Sequence, residues 1–293
     1  HPQVLRILCG HLHRSIVKSS NVYYYTLANE MGVDKIHDFM KPLGFGQLTG
    51  IDLEGEGRGV LPSREWKRNT YKRPAQQQWY AGETISLGIG QGYNNFTMLQ
   101  IAHAMSIIAN GGTNYTPHLV KGKRTAASST YDDLARPAGV RMPYQAENMA
   151  LVRRGMVGVT QEGTSRRVFA GAGYLSGGKT GTAQAVTIGQ KARYNAARLT
   201  EFQRDHSLYL AFAPADRPQI VVVAIVENAG FGAAAAAPLA RRVFDYWLLG
   251  QYPSEADMAA VQRGQAGSPI GAPRDAKQMV PVPTKDSEEG NLH

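Results

Sequence analysis

The spacing of apolar positions changes period several times along the chain. From Val22 to Met31 it is helical: Val22, Tyr25, Thr26 and Asn29 share one face, Leu27 and Met31 another, and Gly32 follows as a stop. Residues 34–43 form a second short helical stretch ended by Gly44. Pro62 and Ser63 restart a helix, with Ser63 as its N-cap. Thr97 and Gln100 make a capping box. The helix they open should be buried, about three to four turns long, with Ile101, Met105 and Ile108 as its stripe. Residues 145–159 repeat at the same period, with Met149, Val152, Met156 and Val159 inward.

The period then shortens. Residues 178–186 combine glycine with β-branched residues and read as a strand ending in a loop. Residues 207–213 alternate, and 219–227 form a continuous β-branched run. Pro214 to Pro218 joins these two tightly, which predicts an antiparallel hairpin in a covered sheet. Pro238 opens a helix over about 235–248, with Leu239, Val243 and Trp247 toward the sheet. The sum is an α+β fold: an antiparallel sheet flanked by helices. Elsewhere, 67–78 is basic and polar and reads as a loop, 113–143 as strand edges and loops, and 187–205 as a loop with a short helix over 195–204. One domain is expected over 1–250. A short helix reaching Gln262 comes next, within 251–293, then a disordered tail of Gly, Pro, Ser and charge from Gly264.

Composition narrows the partners. The chain has 293 residues, is 43% hydrophobic, and carries a net charge of +9. That charge is spread without a run of five basic residues, so no nucleic-acid partner is expected. A basic surface suits an anionic polymer or lipid head groups equally well. No apolar stretch reaches eighteen residues, and the chain opens on His1 rather than Met. An anchor or signal is therefore expected upstream of His1. The single Cys9 excludes an internal disulfide. Cys9, His11 and His13 have metal-ligand spacing but offer only three ligands, and they read as ordinary exposed side chains. No metal or other cofactor is expected.

The stretch richest in chemistry is Gly177-Gly178-Lys179-Thr180-Gly181-Thr182. It sets one ammonium and two hydroxyls among glycines, where backbone approaches a ligand closely. Gly173 to Thr180 also fits the phosphate-loop pattern, but that loop must succeed a buried strand and open a helix. Phe169 to Tyr174 is small and glycine-broken, and the residues after Thr180 are strand-like. A solvated Lys in a glycine turn is the bland alternative. Gly88-Ile89-Gly90-Gln91-Gly92 has the wrong spacing for a dinucleotide loop. Ser19-Ser20-Asn21, taken alone, is an N-cap cluster.

As an ordered set these pieces resemble the penicillin-binding transpeptidases, elongation-type class B in particular. The residues that carry the resemblance are Ser19 to Tyr25, Thr49 to Leu53, Pro62 to Lys67, Gly88 to Tyr93, Gly178 to Gln184, Ala211 to Ala215 and Val226 to Asn228. They cover residues 12 to about 250. The family uses Ser-x-x-Lys, Ser-x-Asn and Lys-Thr-Gly. Ser19 and Asn21 look like the second motif, and Lys179, Thr180 and Gly181 like the third. The resemblance implies a five-stranded sheet whose two earliest strands are missing here. It also implies acyl transfer from a D-alanyl-D-alanine stem peptide. Ser19 would relay a proton toward the leaving amine, Asn21 would hold substrate and base, and Lys179 would supply positive potential. Thr180 and Thr182 would bind the substrate carboxylate, with the Thr182 N–H as an oxyanion donor.

Ser15-Ile16-Val17-Lys18 fits the first motif but abuts Ser19, one helical turn away, so it is read as a decoy. The nucleophile is expected upstream of His1, and residues 1–293 alone should form no β-lactam adduct. The implied partners are peptidoglycan stem peptides, β-lactams, an elongation glycosyltransferase, scaffold proteins and, through an upstream anchor, the membrane. The implied location is the periplasmic face of the bacterial inner membrane. A non-catalytic β-lactam- or peptidoglycan-binding sensor or scaffold is the competing function, and a β-lactamase fits the segment 46–78 less well.

Overall fold

The computed structural model describes residues 12–124, 132–184, 200–265 and 267–279. Its helices are α1 (12–18), α2 (Asn21–Met40), α3 (Arg64–Thr70), α4 (Pro74–Gln77), α5 (Ala81–Leu87), α6 (Met98–Ala109), α7 (Ala146–Gln161), α8 (Arg166–Phe169), α9 (Ala236–Leu249) and α10 (Glu255–Gln262). Its strands are β1 (Thr113–Asn114), β2 (Gly122–Lys123), β3 (Asp132–Asp133), β4 (Val140–Arg141), β5 (Gly177–Ala183), β6 (His206–Ala213), β7 (Ile220–Val226), β8 (Gln251–Tyr252) and β9 (Arg274–Asp275). The main sheet among the described residues is antiparallel, in the order β5-β6-β7. The other strands form two-residue pairs. An antiparallel sheet with Lys179 inside a strand removes the phosphate loop, which needs a helix to start there.

The sheet is covered on both faces. Tyr209, Ala211 and Ala213 of β6 and Ile220, Val222 and Ala224 of β7 pack against α8 and α9. Leu210, Phe212 and Val221, on the other face, meet Met105 of α6 and Met156 and Val159 of α7. Strand alternation produces both sets from one hairpin. The helix caps match the sequence: Thr97 Oγ1 accepts from Gln100 N at 3.1 Å, while Gln100 Oε1 accepts from Thr97 N at 3.0 Å. Gln100 is fully buried, because its amide also donates to Gln47 O and Arg58 O, each at 2.7 Å. The break expected at Gly32 is present as φ 75° within α2.

Three expectations are corrected. Residues 67–78 are not a loop: α3 runs to Thr70, and α4 comes after it. Lys67 is buried, donating to Gln78 O at 2.7 Å and to Glu83 Oε1, with the rings of Trp79, Tyr80 and Tyr93 5.1–5.6 Å away. A lone buried ammonium is costly, but one inside an aromatic and carboxylate cage is not. Second, α9 presents Ala236, Ala237, Ala240 and Phe244 to the sheet, leaving Val243 and Trp247 exposed and Leu239 partly so. Its small residues let the helix sit close, and the large aliphatic stripe turns outward.

Third, residues 267–279 are not a structureless tail. Tyr252 pairs with Arg274, Arg242 Nη1 donates to Gly267 O at 3.1 Å, and Ile270 N donates to Asp257 Oδ1 at 3.2 Å; Asp257 of α10 also takes Arg242 Nη2 (2.5 Å) and Nε (2.9 Å) in a buried bidentate ion pair. Periodicity carries no sign of this, because a charge pair and single hydrogen bonds fix the segment rather than an apolar face. The helix expected over 195–204 lies outside the described residues except for a 3₁₀ turn at Glu201–Gln203, and residues 280–293 lie outside them entirely. Asp257→Ala should strand the Arg242 guanidinium in the interior and cost about 3–5 kcal/mol. Urea denaturation should show this as a lowered midpoint, and an unchanged midpoint would mean the pair contributes nothing.

Candidate active site

Ser19 lies where α1 gives way to α2, and its position is set by packing. Helix α1 lies against α7 at Gly155 and Gly158: a Cβ on Gly155 would come within 2.7 Å of Ile16 Cδ1, and one on Gly158 within 2.6 Å of Val17 Cγ2. The chain then turns at Ser19, which has φ 53°, a left-handed conformation uncommon for a residue with a side chain. Ser20 is the N-cap of α2 but makes no side-chain cap bond, so helix capping does not account for the Ser-Ser-Asn cluster. Asn21 is the first residue of α2, and its side chain is exposed.

Lys179 comes to the same place on β5. The two glycines before it are required by rings across the sheet: a Cβ on Gly178 would fall 2.1 Å from Tyr209 Oη, and one on Gly177 2.4 Å from Phe212 Cζ. Lys179 Nζ donates to Ser19 Oγ at 2.7 Å and to Thr180 O at 2.7 Å. Both acceptors are neutral, and burial lowers the Lys179 pKa to about 8. The ammonium is therefore still charged at neutral pH. Because Nζ donates to Ser19 Oγ, the Ser19 proton is free to point to a third group, a geometry suited to proton relay.

Thr180 and Thr182 enter through their backbone. Thr180 O takes the Lys179 ammonium, and Thr182 O accepts from Gln91 Nε2 at 2.8 Å, so both carbonyls face away from β6. In an antiparallel ladder the N–H of the same residue points the same way. Thr182 N–H thus lies on the outer edge of β5, which among the described residues pairs with β6 alone. Gly181 falls in the inward pair opposite Leu208. By alternation the Thr180 and Thr182 side chains share one side of the strand, and Lys179 lies on the other. Thr180 Oγ1 is 2.9 Å from Thr164 Oγ1. No hydrogen bond joins Asn21 or the Thr182 hydroxyl to Ser19 or Lys179 among the described contacts.

Ser15 has a different environment. It is buried, its Oγ donates to Leu12 O at 2.8 Å and lies 3.2 Å from the Tyr24 hydroxyl, and Lys18 Nζ turns away to Glu162 O at 3.2 Å. Cys9 and His11 lie outside the described residues, while His13 packs beside Gly158. Two residues of the site escape a reading of the sequence. Gln91 has a signal, since Gly90 (φ 77°) and Gly92 (φ 72°) flank it in the left-handed region and it stands in Gly88 to Tyr93, one of the runs that carry the resemblance, but nothing in the sequence gives it a role of its own. Thr164 has none. NMR titration of ¹³C-lysine-labelled protein, with Lys179→Arg for assignment, should find one lysine titrating near pH 8. A value near 10.4, typical of exposed lysine, would mean the ammonium is solvated.

The chain matches the family model described as penicillin binding protein transpeptidase domain over residues 8–245. It is 43% identical to the peptidoglycan D,D-transpeptidase MrdA of Haemophilus influenzae, over 83% of this chain and 37% of that protein. It thus spans little more than a third of the length of that curated relative. A crystal structure of Pseudomonas aeruginosa penicillin-binding protein 2 in complex with WCK 5153 superposes with a TM-score of 0.65 at 38% identity, over 81% of this chain and 49% of that one. Penicillin-binding protein 2 from Helicobacter pylori, solved in complex with MreC, does so with a TM-score of 0.66 at 26% identity, over 81% and 40%. With the match over residues 8–245 and the antiparallel sheet agreeing, the chain belongs to the penicillin-binding protein transpeptidase domain family.

Proposed function

We propose that the chain forms the C-terminal portion of the transpeptidase domain of a peptidoglycan D,D-transpeptidase of the penicillin-binding protein 2 type. The observation that carries this reading is the 2.7 Å contact of a partly buried, neutrally partnered Lys179 with Ser19. A sensor or scaffold has no use for an ammonium kept at depressed pKa against a serine hydroxyl. The 43% identity to a peptidoglycan D,D-transpeptidase supports the same assignment.

In the proposed reaction an activated serine, other than Ser15, attacks the carbonyl of the D-alanyl-D-alanine bond of a stem peptide. Its Oγ–C bond forms, the C–N bond breaks, and D-alanine leaves as an amine. Ser19 passes the proton that this amine needs, with Lys179 holding the Ser19 oxygen and supplying positive potential. Thr182 N–H donates to the developing oxyanion, and the hydroxyls of Thr180 and Thr182 receive the substrate carboxylate. Asn21 holds the substrate amide and the base. Gly181 keeps the strand narrow beside the ligand. An amine of a second stem peptide then attacks the acyl-enzyme and forms the cross-link. β-Lactams enter the same acylation step. The outer edge of β5 suits such substrates, because an extended peptide adds to it as a strand.

The proposed setting is the periplasmic face of the inner membrane, reached through a membrane anchor. Scaffold proteins and an elongation glycosyltransferase are the proposed partners, and the solved Helicobacter complex with MreC supports assembly with a second protein. The test is intact mass after incubation of the full-length protein with benzylpenicillin. The wild type should gain one acyl adduct, and Ser15→Ala should gain it at the same rate. Lys179→Ala should acylate roughly 100-fold more slowly. If the full-length wild type gains no adduct, the non-catalytic reading replaces this one. An adduct mapped to Ser15 would overturn the assignment of Ser15 as bystander.

A further inference from the structure

We propose that Gln91 is a positioning residue for the oxyanion strand. Its side-chain amide fixes the edge backbone of Thr182 and so sets where the Thr182 N–H points. The proposal rests on the reading of Thr182 N–H as an oxyanion donor. The observation behind it is the bond from Gln91 Nε2 to Thr182 O at 2.8 Å, which spans 91 positions of the chain. This carbonyl points away from β6, so on that side of its peptide plane Gln91 is the partner, while Ala183, which completes the plane, lies opposite His206 in the ladder. The Thr182 N–H belongs to the preceding plane, with Gly181 opposite Leu208, and the bond from Gln91 reaches it through the φ and ψ of Thr182.

The segment that presents Gln91 is built to stay still. Gln91 N donates to Ser86 O at 3.1 Å, and Gly90 N to Leu87 O at 3.0 Å, tying the turn to the end of α5. Left-handed glycines flank Gln91 on both sides, so no ordinary residue replaces either without strain. Asn94 Nδ2 donates to Leu87 O at 3.3 Å, and the Tyr93 hydroxyl donates to Glu83 Oε1 at 2.9 Å, inside the cage around Lys67. Burial raises the Glu83 pKa, but hydrogen bonds from Lys67, Tyr80 N–H and Tyr93 outweigh it, and the net shift is downward. The carboxylate that anchors Tyr93 is thus held ionised.

The turn also touches the other motif. A Cβ on Gly88 would lie 2.6 Å from Ala28 Cβ and 2.6 Å from Tyr24 O, so the turn is pressed against α2, the helix that begins at Asn21. The run Gly88 to Gly92 therefore contacts both motif-bearing elements: α2 through an absent side chain and β5 through Gln91. It functions as a spacer between Ser19-Asn21 and Thr182. Catalysis that depends on several groups around one carbonyl is sensitive to such spacing, because small displacements of a donor cost large factors in rate.

The test uses the full-length protein with nitrocefin in stopped flow, separating noncovalent affinity from the acylation rate constant. Gln91→Ala should lower that rate constant by about tenfold, with affinity within about twofold of wild type and the melting temperature nearly unchanged. Gln91→Glu should be slower still at pH 8, where a carboxylate faces the Thr182 carbonyl. Relative to wild type it should recover in part at pH 4, below the ordinary Glu pKa of about 4.3, where a protonated carboxyl can donate again. Gln91→Ala should show no such recovery. A rate constant for Gln91→Ala equal to or above wild type would sink the proposal, and so would loss confined to affinity and melting temperature. Failure of the wild type itself to acylate would instead remove the functional reading on which the proposal stands.

Discussion

A partly buried ammonium with only neutral acceptors is the interaction on which the candidate site depends. Three buried cations elsewhere are neutralised: Lys67 by Glu83, Arg241 by Asp245 and Arg242 by Asp257. Lys179 has a serine hydroxyl and a carbonyl. Removing a charge from water without an opposite charge destabilises the charged form, and the lowered pKa records that cost. A protein carries such an imbalance only where surrounding structure enforces it. Here the enforcement comes from β5 on one side and the α1–α2 junction on the other.

Both sides are placed by missing side chains. Gly155 and Gly158 let Ile16 and Val17 reach the body of α7, which fixes the end of α1 and hence Ser19. Gly177 and Gly178 let Phe212 and Tyr209 lie across β5, which fixes the strand one residue before Lys179. Gly88 does the same for the turn against α2. Close-packed interiors leave no slack at such contacts, so an added methyl group at any of them must move an element that carries a site residue. Tyr209 is itself held, with its hydroxyl 2.9 Å from Ser165 Oγ and its ring stacked on Phe169 at 5.9 Å.

The far side of the sheet has a different physical basis. There α9 meets β6 and β7 through alanines and Phe244, and the chain beyond Leu249 returns to it through charge. Arg241 Nε bonds both oxygens of Asp245, and its Nη1 reaches Val168 O at 3.1 Å, tying α9 to α8. Arg242 ties α9 to α10 and to Gly267 O at 3.1 Å. Paired guanidinium forks suit this task, because each supplies donors for a carboxylate and for backbone carbonyls at once.

Local chemistry alone determined much of the molecule. The hairpin of β6 and β7, the capping box of α6, the N-cap at Ser63 and the break at Gly32 are each fixed by neighbours within a few positions, so they are legible in the sequence. Ser19 and Lys179 are legible as parts of an ordered motif set, although neither segment alone distinguishes a site from a cap or a turn. Tertiary structure decided what depends on distant partners. The exposed face of α9, the burial of Lys67 in an aromatic cage, the ordered segment 267–279 and the bond from Gln91 to Thr182 all rest on contacts between residues far apart in the chain or on different elements. Periodicity reports which residues prefer to leave water. It does not report which particular carbonyl or carboxylate meets them when they do.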